Sequence, residues 1–184
     1  MTVGFLLWSM GRFTNQKFAI CGKTIESLRR NVVTLIPQWM EGIFTVTERR
    51  SENKVIVTDG VRTNWYYLFG GKDESSYALI QGITLAGVFF DEVALMPKSF
   101  VEQAMARCSV SGSKFWFNCN PEGSTHWFYR EWIQKAQRGE RGVIYLHFTM
   151  DDNPSLDPAI KKRVTVQGVG LLKLSYSAII NNMK

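Results

Sequence analysis

Apolar residues fall along this chain in short unbroken runs, separated by amphipathic stretches of helical period. That is the pattern of strands buried on both faces and alternating with helices. The runs are Lys17 to Cys21, Leu85 to Phe90, Lys114 to Asn118 and Val143 to Phe148. Between them, Thr24 caps a helix that runs to about Pro37, with Ile25, Leu28, Val32, Leu35 and Ile36 on one face. Further helices are expected from about Pro97 to Arg107, from Thr125 to Gln137 and from Asp157-Pro158 onward. A weaker helical pattern covers Asp73 to Ile80. Residues 1–11 read as an apolar helix that needs something to pack on. A β-rich insertion spans Ile43 to Glu48, Lys54 to Thr58 and Asn64 to Phe69, with Asp59-Gly60 and Gly70-Gly71 as turn and stop signals. The order predicts an α/β domain with a largely parallel sheet.

One run ends in chemistry. Gly87-Val88-Phe89-Phe90 stops at Asp91-Glu92. Two acids cannot be buried unpaired without a large cost, so they belong at the strand's tip. In an open α/β sheet that tip is where ligands bind. In a nucleotide hydrolase the first acid would hold Mg²⁺ and the second would activate water. A strand followed by an acidic helix start explains the same six residues without chemistry.

Composition narrows the class. The chain has 184 residues, 45% of them hydrophobic, enough for one domain with a real core. A net charge of +6 permits a polyanionic partner but does not demand one. The basic clusters Arg29-Arg30, Arg49-Arg50 and Lys161-Lys162-Arg163 are short and read as solvated faces. Cys21, Cys108 and Cys119 form no CxxC pair, which argues against structural zinc and fits a reducing, cytoplasmic compartment. No apolar stretch approaches the roughly 20 residues of a membrane span.

Other candidates are ambiguous one by one. Asn118 and Asn120 at the tip of the next strand could sense a phosphate or orient a water, or shape the turn before Pro121. Arg107 could face a phosphate or complement a helix C-terminus. Gly22-Lys23-Thr24 ends like a phosphate-binding loop, but the first glycine of that motif is replaced by Lys17, and strand and loop would have to share residues 17–21. Asp151-Asp152 reads as a turn rather than a metal site, and His126-Trp127 as packing at a helix start.

The ordered set is more specific than its parts. Cys21-Gly22-Lys23-Thr24, Phe69-Gly70-Gly71-Lys72-Asp73-Glu74, Gln81 to Gly87 leading into Asp91-Glu92, Arg107, Asn120-Pro121 with His126-Trp127, and Asp152-Asn153-Pro154-Ser155-Leu156 follow one another. Over residues 1–163 this resembles the ATPase domain of the large terminase subunit of tailed phages, of the type found in defective prophages. The resemblance implies a P-loop NTPase-like, additional-strand, RecA-like fold. It implies an ATP-driven motor that packages double-stranded DNA into capsids, with ATP and Mg²⁺ as cofactors. Implied partners are double-stranded DNA, the terminase small subunit and the portal protein. It makes Asp91 the metal-binding acid, Glu92 the catalytic base and Asn118 to Pro121 the motif that couples hydrolysis to DNA movement.

Two departures accompany it. The family's phosphate-binding loop lies before a helix like residues 1–11, and no such loop is found here. Residues 164–184 stop resembling the family, and no nuclease domain follows them. An incomplete domain would hydrolyse ATP poorly or not at all. A non-catalytic DNA-binding or assembly remnant of a prophage is the alternative, and a helicase-like ATPase a second. Two geometric expectations follow. The strands ending at Phe90 and Asn118 should be parallel neighbours, and without the phosphate-loop strand the fold should be marginal, self-associating, or repaired by the C-terminal tail pairing into the gap.

Overall fold

The computed structural model describes residues 1–120, 122–140, 142–152, 155, 157 and 176–182. Strands form at each apolar run: β1 (Lys17–Gly22), β5 (Gly87–Phe90), β6 (Lys114–Cys119) and β7 (Val143–Phe148). The insertion supplies β2 (Thr45–Arg49), β3 (Lys54–Thr58) and β4 (Thr63–Gly70), and the tail supplies β8 (Tyr176–Asn182). All eight join one sheet in the order β2-β3-β4-β1-β5-β6-β8-β7. The centre, β4-β1-β5-β6, is parallel throughout. The flanks are antiparallel, so the sheet is mixed, with a parallel core of four strands.

Alternation within the central strands divides the apolar residues between two layers. Phe18, Ile20, Phe89 and Trp116 face one side, with Tyr66, Leu68, Val55 and Val57. Onto that side pack α1 (Thr2–Arg12), α2 (Ile25–Asn31) and α3 (Ile36–Trp39) through Phe5, Leu6, Met10, Leu28 and Ile36. Ala19, Cys21, Val88, Phe90, Phe115 and Phe117 face the other side. There they meet Phe100, Val101 and Ala104 of α4 (Lys98–Ala106), and Phe128 and Ile133 just before α5 (Gln134–Gln137). The N-terminal helix therefore has its packing partner. Fully buried Phe5 makes ring contacts with Phe18, Tyr66, Phe89 and Trp116. A buried polar seam fixes its pitch: Ser9 Oγ lies 2.6 Å from Tyr66 Oη, and the Asn64 amide donates to Phe13 O at 2.9 Å.

Local physics moved several boundaries. The helix expected from Thr24 to Pro37 is broken into α2, a 3₁₀ turn at Val33–Leu35, and α3. Three consecutive β-branched residues, Val32 to Thr34, weaken its middle, and Pro37 suits only the first turn of a new helix. Glu74–Ile80 is 3₁₀ rather than α, started by Asp73, whose carboxylate accepts from Ser75 N at 3.1 Å. The segment before α5 carries a π-turn at Tyr129–Ile133. His126 Nδ1 accepts from Phe128 N at 3.2 Å, as a helix-start packing role requires. Asp152 accepts from both Thr149 N and Thr149 Oγ1, which makes the Asp151-Asp152 pair part of a turn. The helix expected from Asp157-Pro158 and the Lys161–Arg163 cluster lie outside the described residues.

Of the three expected outcomes, the tail takes the one in which it pairs into the sheet. β8 lies between β6 and β7, antiparallel to both. Ile179 is wholly buried there, in the layer of Phe117 and Phe128.

Candidate functional site

The carboxyl ends of β1, β4, β5 and β6 line up along one edge of the sheet. Parallel pairing brings four loops together there: Gly22 to Thr24, Gly70 to Asp73, Asp91-Glu92 and Asn118 to Asn120. Gly71 N donates to Gly22 O at 2.8 Å, and Lys23 Nζ to Lys72 O at 2.8 Å, tying the first two loops to each other. Gly71 must be a glycine, because an added Cβ would come within 2.6 Å of the Phe100 ring. Thr24 caps α2, its hydroxyl accepting from Ser27 N at 3.1 Å.

The acids are joined to the neighbouring strand by one side chain. The β5–β6 ladder ends at Phe90↔Phe117, so Asp91 and Asn118 stand one step beyond it, side by side. Asn118 Nδ2 donates to Asp91 Oδ1 at 2.8 Å. The same amide's Oδ1 accepts from the backbone N–H of Glu92 at 2.6 Å. Glu92 takes the left-handed conformation, φ 54° and ψ 53°. A non-glycine residue there carries a conformational cost, and such positions concentrate at functional sites. The bend takes the backbone off the line of the strand at Glu92.

Burial sets the electrostatics. It pushes the Asp91 carboxyl above the usual carboxylate range, against the Asn118 hydrogen bond and the positive amino terminus at Met1, which both pull it down. Glu92 is raised too, by burial first and then by the negative charge of Asp91. Two acids with raised pKa values at a sheet's carboxyl edge mark a candidate functional site. Asn120 follows at the tip of β6, and its side-chain oxygen is buried with no hydrogen-bond partner among the described residues.

Raised pKa values carry a stability signature. A group whose folded-state pKa is raised contributes stability below its unfolded pKa, and loses it as pH rises through the folded one. Asp91 therefore weakens the fold at neutral pH. Asp91→Asn should melt at a higher temperature than the parent near pH 7, and the gap should close toward about pH 4. Thermal melts across that range check it, and a variant less stable than its parent at pH 7 would mean that the charge is structurally paired.

Arg107 does not join this site. Its carbonyl accepts from Leu85 N at 2.9 Å, before β5 begins. Helix α4 has carried the chain back to the amino end of the sheet. Six residues of extended chain, about 20 Å, separate Leu85 from Asp91. A phosphate held at Asp91 is out of its reach, so the phosphate-facing role expected of Arg107 is withdrawn. Sequence reasoning missed the bend at Glu92, for which no local signal exists, and the tie between Lys23 and Lys72. The Asn118 contact did have a signal, since Phe-Phe-Asp and Trp-Phe-Asn end two strands of matching pattern.

Comparison with known proteins follows from this geometry. The family model described as terminase large subunit, T4likevirus-type, N-terminal, matches residues 7–167. No curated protein matches the chain. A solved structure of the large terminase from a thermophilic bacteriophage is 49% identical, with a TM-score of 0.86, over 95% of this chain and 43% of that one. The same terminase in complex with ADP is 49% identical over 90% of this chain and 40% of that one, TM-score 0.83. In complex with ATP-γ-S it is 46% identical over 95% and 42%, TM-score 0.83. The chain thus spans about two fifths of the length of the terminase structures it matches.

Proposed function

This chain belongs to the terminase large subunit family, T4likevirus type, N-terminal part, and on that premise we propose that it supplies the ATP-hydrolysing site of a motor that packages double-stranded viral DNA into capsids. The observation that carries this reading is the Asn118 amide, bonded at once to Asp91 and to the backbone of Glu92 at the carboxyl edge of a parallel sheet core. Support also comes from the thermophilic phage terminase, which was crystallised with ADP and with ATP-γ-S.

In this reading Asp91 is the Walker B acid that holds Mg²⁺. Its carboxylate accepts one hydrogen bond, from Asn118, and keeps lone pairs with which it would hold the cation. The raised pKa fits such a role, because a cation beside a desolvated carboxylate restores the ionised form. When bound, the metal neutralises charge on the phosphate oxygens. Glu92 is the base. In that role its carboxylate would accept a proton from a water in line with the terminal phosphate. Asn118 holds both acids in register and reports a change at either one to β6. The open acceptor of Asn120 lies on the same loop and is the second coupling residue.

Double-stranded DNA, a small terminase subunit and a portal protein are the partners this function requires, in the bacterial cytoplasm. No described helix is long and apolar enough to cross a membrane. A loop of the Gly-x-x-x-x-Gly-Lys-[Ser/Thr] type is not found within the 184 residues, so hydrolysis by them alone is expected to be poor or absent. The decisive protein is therefore a chimera in which this chain replaces the matching part of the thermophilic phage terminase. It should bind Mg²⁺-nucleotide and release phosphate, and Asp91→Ala should weaken the binding in titration calorimetry. Unchanged binding in Asp91→Ala would remove the metal role.

A further inference from the structure

A second concavity opens at the amino edge of the sheet, at the opposite end of β5 from Asp91. It lies where α1 ends and β6 begins, with a volume of about 360 Å³, and is lined by Trp8, Arg12, Phe13, Ser111, Gly112 and Lys114. The core holds its walls in place. Trp8 makes ring contacts with Phe5, Phe13, Phe18 and Trp116, at centroid distances of 5.4–6.0 Å. It also lies against Gly87, where an added Cβ would come within 3.0 Å of the indole. The facing rim is a tight turn. Ser113 N donates to Val110 O at 3.1 Å, the Ser113 hydroxyl donates to the same oxygen, and Gly112 has a left-handed φ of 81°. A recess built this way loses little freedom when it is filled.

Charge sets its preference. Lys114 Nζ stands 5.8 Å from the centre of the Trp8 ring. Arg12 closes the last turn of α1 and is exposed. Neither cation enters an ion pair among the described residues, whereas Arg29, Arg50, Lys54, Arg62 and Lys98 all do. No carboxylate lines the recess among the described residues. Two cations without counter-charges beside an indole favour a ligand that joins negative charge to a flat ring.

We propose that this recess holds one nucleotide of a single-stranded nucleic acid, its base packed beside the Trp8 and Phe13 rings and its phosphate between Arg12 and Lys114. The volume falls at the small end of the roughly 300–1,000 Å³ of small-molecule sites, which fits one nucleotide better than a longer segment. A duplex keeps its bases stacked inside and would bring only phosphates, so the aromatic wall would gain nothing from it. The site is independent of hydrolysis at Asp91, at the other edge.

Fluorescence anisotropy of the full chain with a fluorescein-labelled thymidine decamer tests it, with neither ATP nor metal present. The decamer should bind, and Arg12→Glu should weaken it about tenfold and lower the slope of log affinity against log salt by about 0.7, the share of one phosphate. Arg49→Glu, an equal charge change at an exposed position of β2, should leave binding unchanged. A fully abasic decamer should bind about tenfold more weakly than the thymidine decamer, since it offers phosphates without rings. Trp8→Phe keeps a ring in the core and gives a second reading. The thymidine decamer should quench the tryptophan emission of the parent and leave that of this variant unchanged. No binding by the parent overturns the proposal, as does an equal loss in Arg12→Glu and Arg49→Glu. It is also overturned by an abasic chain that binds as tightly, by a duplex that binds more tightly through Arg12, or by quenching that survives Trp8→Phe.

Discussion

Glu92→Gln in the chimera with the thermophilic phage terminase is expected to cut ATP turnover about 100-fold or more while leaving Mg²⁺-nucleotide binding nearly intact. A factor of 100 is about 2.7 kcal/mol of transition-state stabilisation. That is the usual scale for losing a positioned general base, and glutamine keeps the shape of glutamate without its basicity. The asymmetry with Asp91 is structural. Asp91 continues the line of β5 and is held by the Asn118 amide, whereas Glu92 leaves that line through a left-handed bend. One acid can face the phosphates and the other a water beyond them. Titration calorimetry beside a phosphate-release assay separates the two roles. If both substitutions weaken binding equally, and turnover falls only in proportion, the acids form one joint metal site and the division of labour is wrong.

Ending the chain at residue 175 is expected to abolish cooperative unfolding or leave a self-associating species. β8 is the only described connection in the sheet between β6 and β7. Its loss strips one of the two hydrogen-bonded neighbours from β6 along its full length and uncovers Phe117 and Phe128 on the layer that Ile179 closes. An unpaired, largely apolar edge of that kind is a template for association. The graded version is Ile179→Ala, which deletes a fully buried side chain and should cost about 2–5 kcal/mol. Urea titrations followed by sedimentation measure both. A truncated chain that stays monomeric and unfolds at the parent's midpoint would show that the strand is dispensable.

The sequence by itself determined the layers and the tip. Runs such as Phe18-Ala19-Ile20-Cys21 and Phe115-Trp116-Phe117 are apolar at every position, which only a strand covered on both faces can satisfy, and β1, β5 and β6 are such strands. Asp91 and Glu92 stand at the end of one because carboxylates cannot follow the chain into that interior. The ordered motifs of residues 1–163 pointed to the terminase family, and the family match covers residues 7–167.

Other features depend on partners far along the chain, and only the tertiary structure decided them. Asn118 could be a turn former or a sensor until the β5–β6 register set its amide beside residues 26 and 27 positions away. Arg107 was a plausible phosphate ligand until the return of α4 placed it at the other end of the sheet. Arg29 and Arg50 come from separate basic doublets, yet both contact Glu48, at 2.7 and 3.4 Å. The tail had no period to read, because a strand buried between two others needs only to be uncharged and extended. Its place was settled by the edges of β6 and β7. Local patterns record how a residue meets its neighbours in the chain and whether it meets water, whereas register and strand order are sums over distant pairs that no single stretch contains.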